Sequence, residues 1–170
     1  MTRIELKIRG YSAYLHPISD DLLLGVGQDA TERGVTLGVQ LSLFDVSDPA
    51  KPVRRAHMTV ADTDSETEFD HHAFLFWKPA NLAVIPLWGY DPRGSPEFDG
   101  AIGFRVGGRT LPEAGRITHP SAAGADGYPP SIARSLVIGE RLYTLSYAGL
   151  GANRLDTLGP LSFTAFPAPS

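Results

Sequence analysis

Cysteine is absent from the 170 residues. Its absence excludes disulfide bonds, thiolate zinc sites and cysteine nucleophiles. Positive charge is also scarce, because 15 lysines and arginines stand against 19 aspartates and glutamates, a formal net charge of −4. This balance argues against a nucleic-acid binder that depends on phosphate contacts. No apolar run approaches the roughly 18 residues of a membrane-spanning helix, so we expect no membrane insertion.

The sequence also lacks the periodicity of amphipathic helices. No window of about 11 residues places apolar side chains at helical spacing, whereas alternation of apolar and polar residues is frequent. Ile4, Leu6 and Ile8 alternate with charged residues, which predicts a strand over 3–9 and is unlike a signal peptide. The chain also has 18 glycines and 14 prolines, which are concentrated between the apolar runs. These features predict an all-β chain of short strands.

The apolar runs recur at a fixed interval. Runs that begin at Leu22, Leu82 and Leu142 are spaced by 60 residues, and we expect these leucines at equivalent buried sites on second strands. Each unit contains two successive hairpins, so four-stranded units repeat along the chain. This pattern predicts a partial β-propeller with three four-stranded antiparallel blades of about 60 residues, at 11–60, 72–119 and 132–166. A β-sandwich with accidental self-similarity is the alternative fold.

Several segments occur in an order that resembles a known family, the secreted C-terminal β-propeller domain family distantly related to WD-repeat proteins of archaea and bacteria. They include Tyr14-Leu-His-Pro-Ile18, Leu41-Ser-Leu-Phe-Asp-Val-Ser-Asp-Pro49, Asp70-His-His-Ala-Phe-Leu-Phe76 and Gly115-Arg-Ile-Thr-His119. The resemblance implies that the chain comprises the C-terminal blades of a larger propeller. It also implies an extracellular or cell-surface location, although this chain shows no signal peptide. Because three blades cannot close a ring, we expect the partners to be the remaining blades of a parent protein or a second copy of the chain.

The long connections all fall on one face of the predicted blades. They are the segments 28–35, 61–71, 88–99 and 120–131, and we call their side of the molecule the long-loop face. Loops on a rigid scaffold often bind ligands. Aromatic and basic residues on or beside them are candidates for binding a protein, peptide or glycan: Trp88, Tyr90, Arg93 and Tyr128. The aromatic side chains could equally seal the gap between blades.

The loop from 61 to 70 carries five carboxylates: Asp62, Asp64, Glu66, Glu68 and Asp70. Carboxylate oxygens are calcium ligands, so Asp62, Asp64, Glu66 and Asp70 are a candidate calcium site. A solvated acidic loop is the alternative. On a strand, His71 and His72 would point to opposite faces and would not bind one ion together. Asp45 and Asp48 suit turns in which a carboxylate caps backbone N–H groups.

Three functional hypotheses follow from this pattern. The first is a non-enzymatic binding or scaffold module with its ligand on the long-loop face and no cofactor other than the candidate calcium ion. The second is a metal-assisted hydrolase that uses the acidic loop 62–70 and His71. The third is a purely structural role in which the three blades complete a ring. No catalytic residue is assigned by the sequence.

Overall fold

The computed structural model describes residues 8–90, 96–121 and 129–167. Within these ranges the chain forms strands and three short 3₁₀ turns at 66–68, 71–73 and 78–80, and none of the described helices is long and apolar enough to cross a membrane. The strands are β1 (Tyr11–Ser19), β2 (Leu22–Ala30), β3 (Thr36–Asp45), β4 (Val53–Ala61), β5 (Thr63–Asp64), β6 (Leu75–Trp77), β7 (Leu82–Tyr90), β8 (Pro96–Arg105), β9 (Glu113–Ile117), β10 (Ile132–Ile138), β11 (Arg141–Ser146), β12 (Gly149–Arg154) and β13 (Pro160–Ala165).

The strands form three antiparallel sheets, which we call blades one, two and three. Blade one has the order β1-β2-β3-β4, and blade three has the order β10-β11-β12-β13. Blade two has the order β5-β7-β8-β9, and β6 also pairs with β7. The prediction of an all-β partial propeller with four-stranded antiparallel blades is confirmed. Most of the predicted strand 3–9 lies outside the described residues, and residues 8 and 9 are not in a strand.

The first strand of blade two is divided, and a proline accounts for the division. β6 pairs with β7 at residues 82–84, and β5 pairs with it at residues 88 and 89. Pro86 lies between these two stretches and has no N–H to donate to a neighbouring strand. The hydroxyl of Ser65 instead donates to the Pro86 carbonyl at 2.6 Å. The chain can therefore leave the sheet between β5 and β6, where it forms the turns at 66–68 and 71–73.

Blades one and two stack through an apolar layer that we call the first interface. β7 contributes Ala83, Ile85 and Leu87 to it, and β8 contributes Ile102 and Phe104. Blade one contributes residues that alternate along its strands: Leu24, Val26, Val39, Leu41 and Leu43. All of these side chains are 0% exposed, so the two sheets exclude water from the layer between them.

Blades two and three stack through a second interface with a smaller apolar layer. Leu82 and Val84 of β7 face Ile132, Leu142 and Leu158 of blade three. β7 is thus covered on both faces, which explains why its sequence is continuously apolar from Leu82 to Leu87.

A glycine makes room for one side chain of the second interface. A Cβ added to Gly103 would lie 2.4 Å from Leu158 Cδ1, far inside van der Waals contact. Leu158, in the loop between β12 and β13, is only 1% exposed at this position. The missing side chain of Gly103 therefore lets blade three approach blade two closely.

The repeat register changes by one residue between the second and third blades. Leu22, Leu82 and Leu142 all lie on second strands, as expected. β2 and β7 begin at Leu22 and Leu82, but β11 begins at Arg141. Leu82 faces blade three, whereas Leu142 faces back toward blade two. The expectation of equivalent sites is therefore wrong for Leu142, because side chains alternate between faces and a shift of one residue reverses the face.

Candidate functional site

The first strands of the three blades converge at the long-loop end, where they form a group that we call the axial cluster. It contains Tyr14 and His16 of β1, Asp70, His71 and His72 of the 66–73 segment, Phe74, and Arg134 of β10. Contacts within the cluster join all three blades. The Tyr14 ring lies on the His71 ring with centroids 6.2 Å apart, and Arg134 pairs with Asp70.

His16 is a half-buried histidine of the axial cluster. Its Nδ1 lies 3.0 Å from the hydroxyl oxygen of Tyr14. Its ring packs against Phe74 and Phe76 at centroid distances of 4.9 and 5.6 Å. Burial lowers the pKa of His16 and raises the pKa of Tyr14 because it disfavours the charged form of each group. Both side chains are therefore neutral near pH 7.

Asp70 caps the 71–73 turn and ties it to blade three. Its Oδ1 accepts a hydrogen bond from the His72 backbone N–H at 2.9 Å, and the Nδ1 atom of His72 lies 3.0 Å from the same oxygen. Its Oδ2 accepts from Nη2 of Arg134. The contacts with His72, followed by the Arg134 charge, lower the pKa of the Asp70 carboxyl. The carboxylate is thus held in one orientation by two blades.

His71 and His72 are exposed and lie side by side. They occupy a 3₁₀ turn and not a strand, and their ring centroids are only 4.0 Å apart. The expectation that they point to opposite faces is therefore wrong. Within the described ranges, one group of three potential metal ligands has its ligand atoms within 4.8 Å of one another, and it consists of Asp70, His71 and His72.

The acidic loop is organised around a buried glutamine that the sequence analysis did not single out. Gln28 is 4% exposed, and its amide nitrogen donates to Glu68 Oε1 at 2.7 Å and to Asp64 Oδ1 at 3.2 Å. The hydroxyl of Tyr11 donates to Glu68 Oε2 at 3.1 Å. These contacts hold the loop against blade one, and they provide hydrogen bonds to two of its carboxylates, Asp64 and Glu68.

The four carboxylates proposed as calcium ligands are not gathered in one place. Asp64 contacts Gln28, and Asp70 contacts His72 and Arg134. Asp62 has a positive φ of 55° and is exposed, and Glu66 begins the 66–68 turn. Asp70 is instead grouped with the two histidines that follow it. Calcium binding by the loop stays a prediction.

The structure describes only part of the set of aromatic and basic residues that the sequence suggests for ligand binding. Trp88 is half-buried in β7, and its backbone pairs with Asp64 on one side and Asp99 on the other. Tyr90 ends the same strand, and its side chain lies outside the described part of the structure. Arg93 and Tyr128 also lie outside the described residues. Ligand binding by these four residues stays a prediction.

The structural interpretation of Asp45 and Asp48 agrees with the contacts. The backbone N–H of Ser47 donates to Asp45 Oδ1 at 2.9 Å, and that of Ala50 donates to Asp48 Oδ1 at the same distance. Both carboxylates therefore cap the turn between β3 and β4, and Asp45 also pairs with Arg55.

His119 follows β9, belongs to the second interface and is 4% exposed. Its Nδ1 lies 2.8 Å from Ser146 Oγ, and its Nε2 lies 2.8 Å from Thr144 Oγ1. The edge of its ring meets Phe163 at a centroid distance of 4.9 Å. Burial lowers the pKa of His119. Its role is to join the end of blade two to blade three.

Comparison with known proteins places this architecture in a family. The chain is 40% identical over 82 residues to an uncharacterised protein of Archaeoglobus fulgidus, an alignment that covers 48% of the chain and 12% of that protein. It is 34% identical over 86 residues to an uncharacterised protein of Methanocaldococcus jannaschii, covering 51% of the chain and 13% of the relative. The aligned part is thus about an eighth of either relative. The model of the beta propeller domain family matches residues 3–158, and the chain belongs to that family.

Proposed function

We propose that the chain is a non-enzymatic binding and scaffold module whose outer blade faces pack against further blades. The observation that carries this proposal is a set of apolar side chains at equivalent positions of two blades. On blade two they face blade one and are buried: Ala83, Phe104 and Val106. On blade one their equivalents, 60 residues earlier, face away from blade two: Leu23, Phe44 and Val46. Leu23 pairs with Phe44 across the strands as Ala83 pairs with Phe104.

The outer face of blade one forms an apolar hollow. Leu23 and Val46 are half-buried there, and the Phe44 ring covers Gly25. Leu15 lies in the same hollow and is 52% exposed, and Ile8 and Pro52 complete its edge. A neighbouring blade would cover this surface as blade one covers the equivalent face of blade two. Contiguous apolar surface of this kind is typical of an interaction site.

The outer face of blade three is apolar as well. Leu136 is 43% exposed and Ile138 is 64% exposed, on the side of β10 opposite to Val137, which packs on the second interface. Three blades cannot close a ring, because propellers have about four blades or more. Further blades from a longer protein would cover both outer faces, and a second copy in a two-fold arrangement would do so with six blades. The much greater length of the two relatives supports the first arrangement.

In this proposal the long-loop face binds a protein, peptide or glycan outside the cell. The extracellular location rests on the family resemblance, and protease accessibility on intact cells would test it. The choice of a binding face rests on the axial cluster, which exposes imidazole side chains between three rigid blades. No contact among the described residues favours the hydrolase hypothesis over this one.

Static light scattering on the chain tests the docking of the outer faces. We expect a mass above the 18.3 kDa of one chain that increases with protein concentration. Leu15→Glu places a charge in the apolar hollow and should lower the mass toward that of the monomer. Val35→Glu is the matched control, because Val35 is 61% exposed in the turn between β2 and β3, outside the hollow.

Two results would contradict the docking proposal. One is a monomer at every concentration, with both outer faces solvated. The other is an equal decrease in mass for Leu15→Glu and Val35→Glu, which would assign the association to general surface charge. Urea unfolding of both variants verifies that each retains its fold.

A further inference from the structure

We propose that Asp70, His71 and His72 bind one divalent transition-metal ion at the long-loop end of the first strands. This inference does not depend on the docking of the outer faces. It also differs from the calcium hypothesis, since it involves two imidazoles and shares only Asp70 with the proposed calcium ligands. Its basis is the geometry of the 71–73 turn and of the groups that hold it.

One pair of atoms already has the separation of two metal ligands. The distance between Asp70 Oδ1 and His72 Nδ1 is 3.0 Å. Two ligand atoms of a tetrahedral zinc ion with bonds of 2.0–2.1 Å are about 3.3 Å apart. An ion can therefore lie between these two atoms with only a small shift of either side chain. Neutral His72 then carries its ring proton on Nε2, and its Nδ1 lone pair is directed at the ion.

His71 supplies the third ligand. Its ligand atom lies within 4.8 Å of those of Asp70 and His72, and its ring lies beside the His72 ring. Both histidine side chains are exposed, so no packing on the solvent side opposes a small movement of either ring toward the ion. The Tyr14 ring of blade one is stacked with the His71 ring at a centroid distance of 6.2 Å.

The surroundings hold the carboxylate in place for an ion. Arg134 of blade three binds Oδ2 of Asp70, and the backbone N–H of His72 binds Oδ1. Hydrogen bonds of this kind from outside the ligand set orient metal-binding carboxylates. The Arg134 charge also opposes a cation, so we expect affinity well below that of closed structural zinc sites. The ion would connect residues that are already fixed by contacts with blades one and three.

The ligand set selects the class of metal. Two imidazoles and one carboxylate suit zinc, cobalt and nickel, whereas calcium requires six to eight oxygen ligands. Three protein ligands also leave at least one coordination position for water or for a group of a binding partner. Such an open position on the long-loop face would give the ion access to a ligand.

Isothermal titration of the untagged chain with zinc chloride tests this inference. We expect one ion per chain, and a weakening of more than about tenfold in each of His71→Gln and His72→Gln. His57→Gln is the control, because His57 is an exposed histidine on β4, the last strand of blade one. It should bind zinc as the unaltered chain does. Calcium chloride should give no heat at this site.

Thermal unfolding supplies a second measurement. Zinc should raise the melting temperature of the unaltered chain and of His57→Gln, because the ion binds the native state preferentially. The increase should be lost in His71→Gln and His72→Gln, whose melting temperatures without zinc report whether they are folded. The inference is overturned if zinc does not bind, or if it binds the two variants as tightly as the unaltered chain. Loss of binding in His57→Gln would overturn it too.

Discussion

The two interfaces join similar sheets by different means. Among the described residues, the first interface contains 14 buried hydrophobic side chains, whereas the second contains 7. Polar contacts cross both interfaces, between Gln28 and the acidic loop in the first and at several points in the second. Arg105 of blade two donates to the Asp156 carbonyl of blade three at 2.7 Å, and the Ser131 hydroxyl donates to Asp99 Oδ2 at 2.6 Å. His119 adds its contacts with Thr144 and Ser146.

The balance of apolar and polar contacts determines how each interface responds to substitution and to a change of pH. Apolar layers contribute stability in proportion to buried area and depend little on pH. Buried polar contacts contribute less on balance, but removal of one partner leaves the other unsatisfied. We therefore expect loss of apolar volume to cost more in the first interface, and expect a larger share of the second interface's stability to depend on the hydrogen bonds and neutral form of His119.

The largest expected effect is that of Phe104→Ala in the first interface. Phe104 is 0% exposed, and its removal leaves a cavity between two rigid sheets. The free energy of unfolding should decrease by about 3–5 kcal/mol, measured by urea denaturation. Phe163→Ala is the comparison in the second interface, where the ring is only half-buried against His119. If Phe163→Ala lowered the free energy of unfolding as much as Phe104→Ala, the expected difference between the two interfaces would be contradicted.

An intermediate effect is expected for His119→Phe. The substitution retains a ring beside Phe163 but removes both nitrogen atoms, so the Ser146 hydroxyl loses its ring partner while Thr144 keeps the contact from Asn153. The free energy of unfolding should decrease by about 1–3 kcal/mol in urea denaturation at pH 7.5. An unchanged value would show that water or a rearranged hydroxyl satisfies Ser146, and that the polar contacts add no stability.

The comparison also shows what could be predicted from the sequence. Alternation and the 60-residue interval predicted three blades, because each strand has to present apolar side chains to one neighbour or to both. The face of Leu142 was not predicted, since a leucine-based alignment overlooks that β11 begins one residue earlier, at Arg141. A one-residue difference in strand start is invisible to hydrophobicity alone but reverses the buried face.

The site was less predictable than the blades. Asp70 and His71 were recognised as candidates, but the turn that brings His71 and His72 together depends on Pro86, which lies in a different strand. Gln28 and Arg134 were missed because their partners, Glu68 and Asp70, are 40 and 64 residues away along the chain. A proline inside an apolar strand was the one local signal that the neighbouring strand is interrupted.

The smallest expected effect is the loss of stability that protonation of His119 causes in acid. Burial lowers the pKa of His119 below the value of about 6.5 that histidine has in an unfolded chain. As the pH falls below that value, the unfolded state binds more protons than the native state, so the free energy of unfolding decreases. The stability from neutral His119 is therefore present above pH 6.5 and is lost as the pH falls toward the lower native pKa.

His119→Phe removes this titrating group, so its melting temperature should decrease less between pH 7 and pH 5 than that of the unaltered chain. A residual decrease is expected in both proteins, because burial against Phe74 and Phe76 also lowers the pKa of His16. Carboxyl groups with lowered pKa values, such as Asp70, act below this window and do not confound it. Parallel melting curves for the two proteins across the window would mean that His119 is protonated without loss of stability. Its two hydroxyl neighbours would then accept hydrogen bonds from the imidazolium, and His119 would add nothing to the acid sensitivity of the second interface.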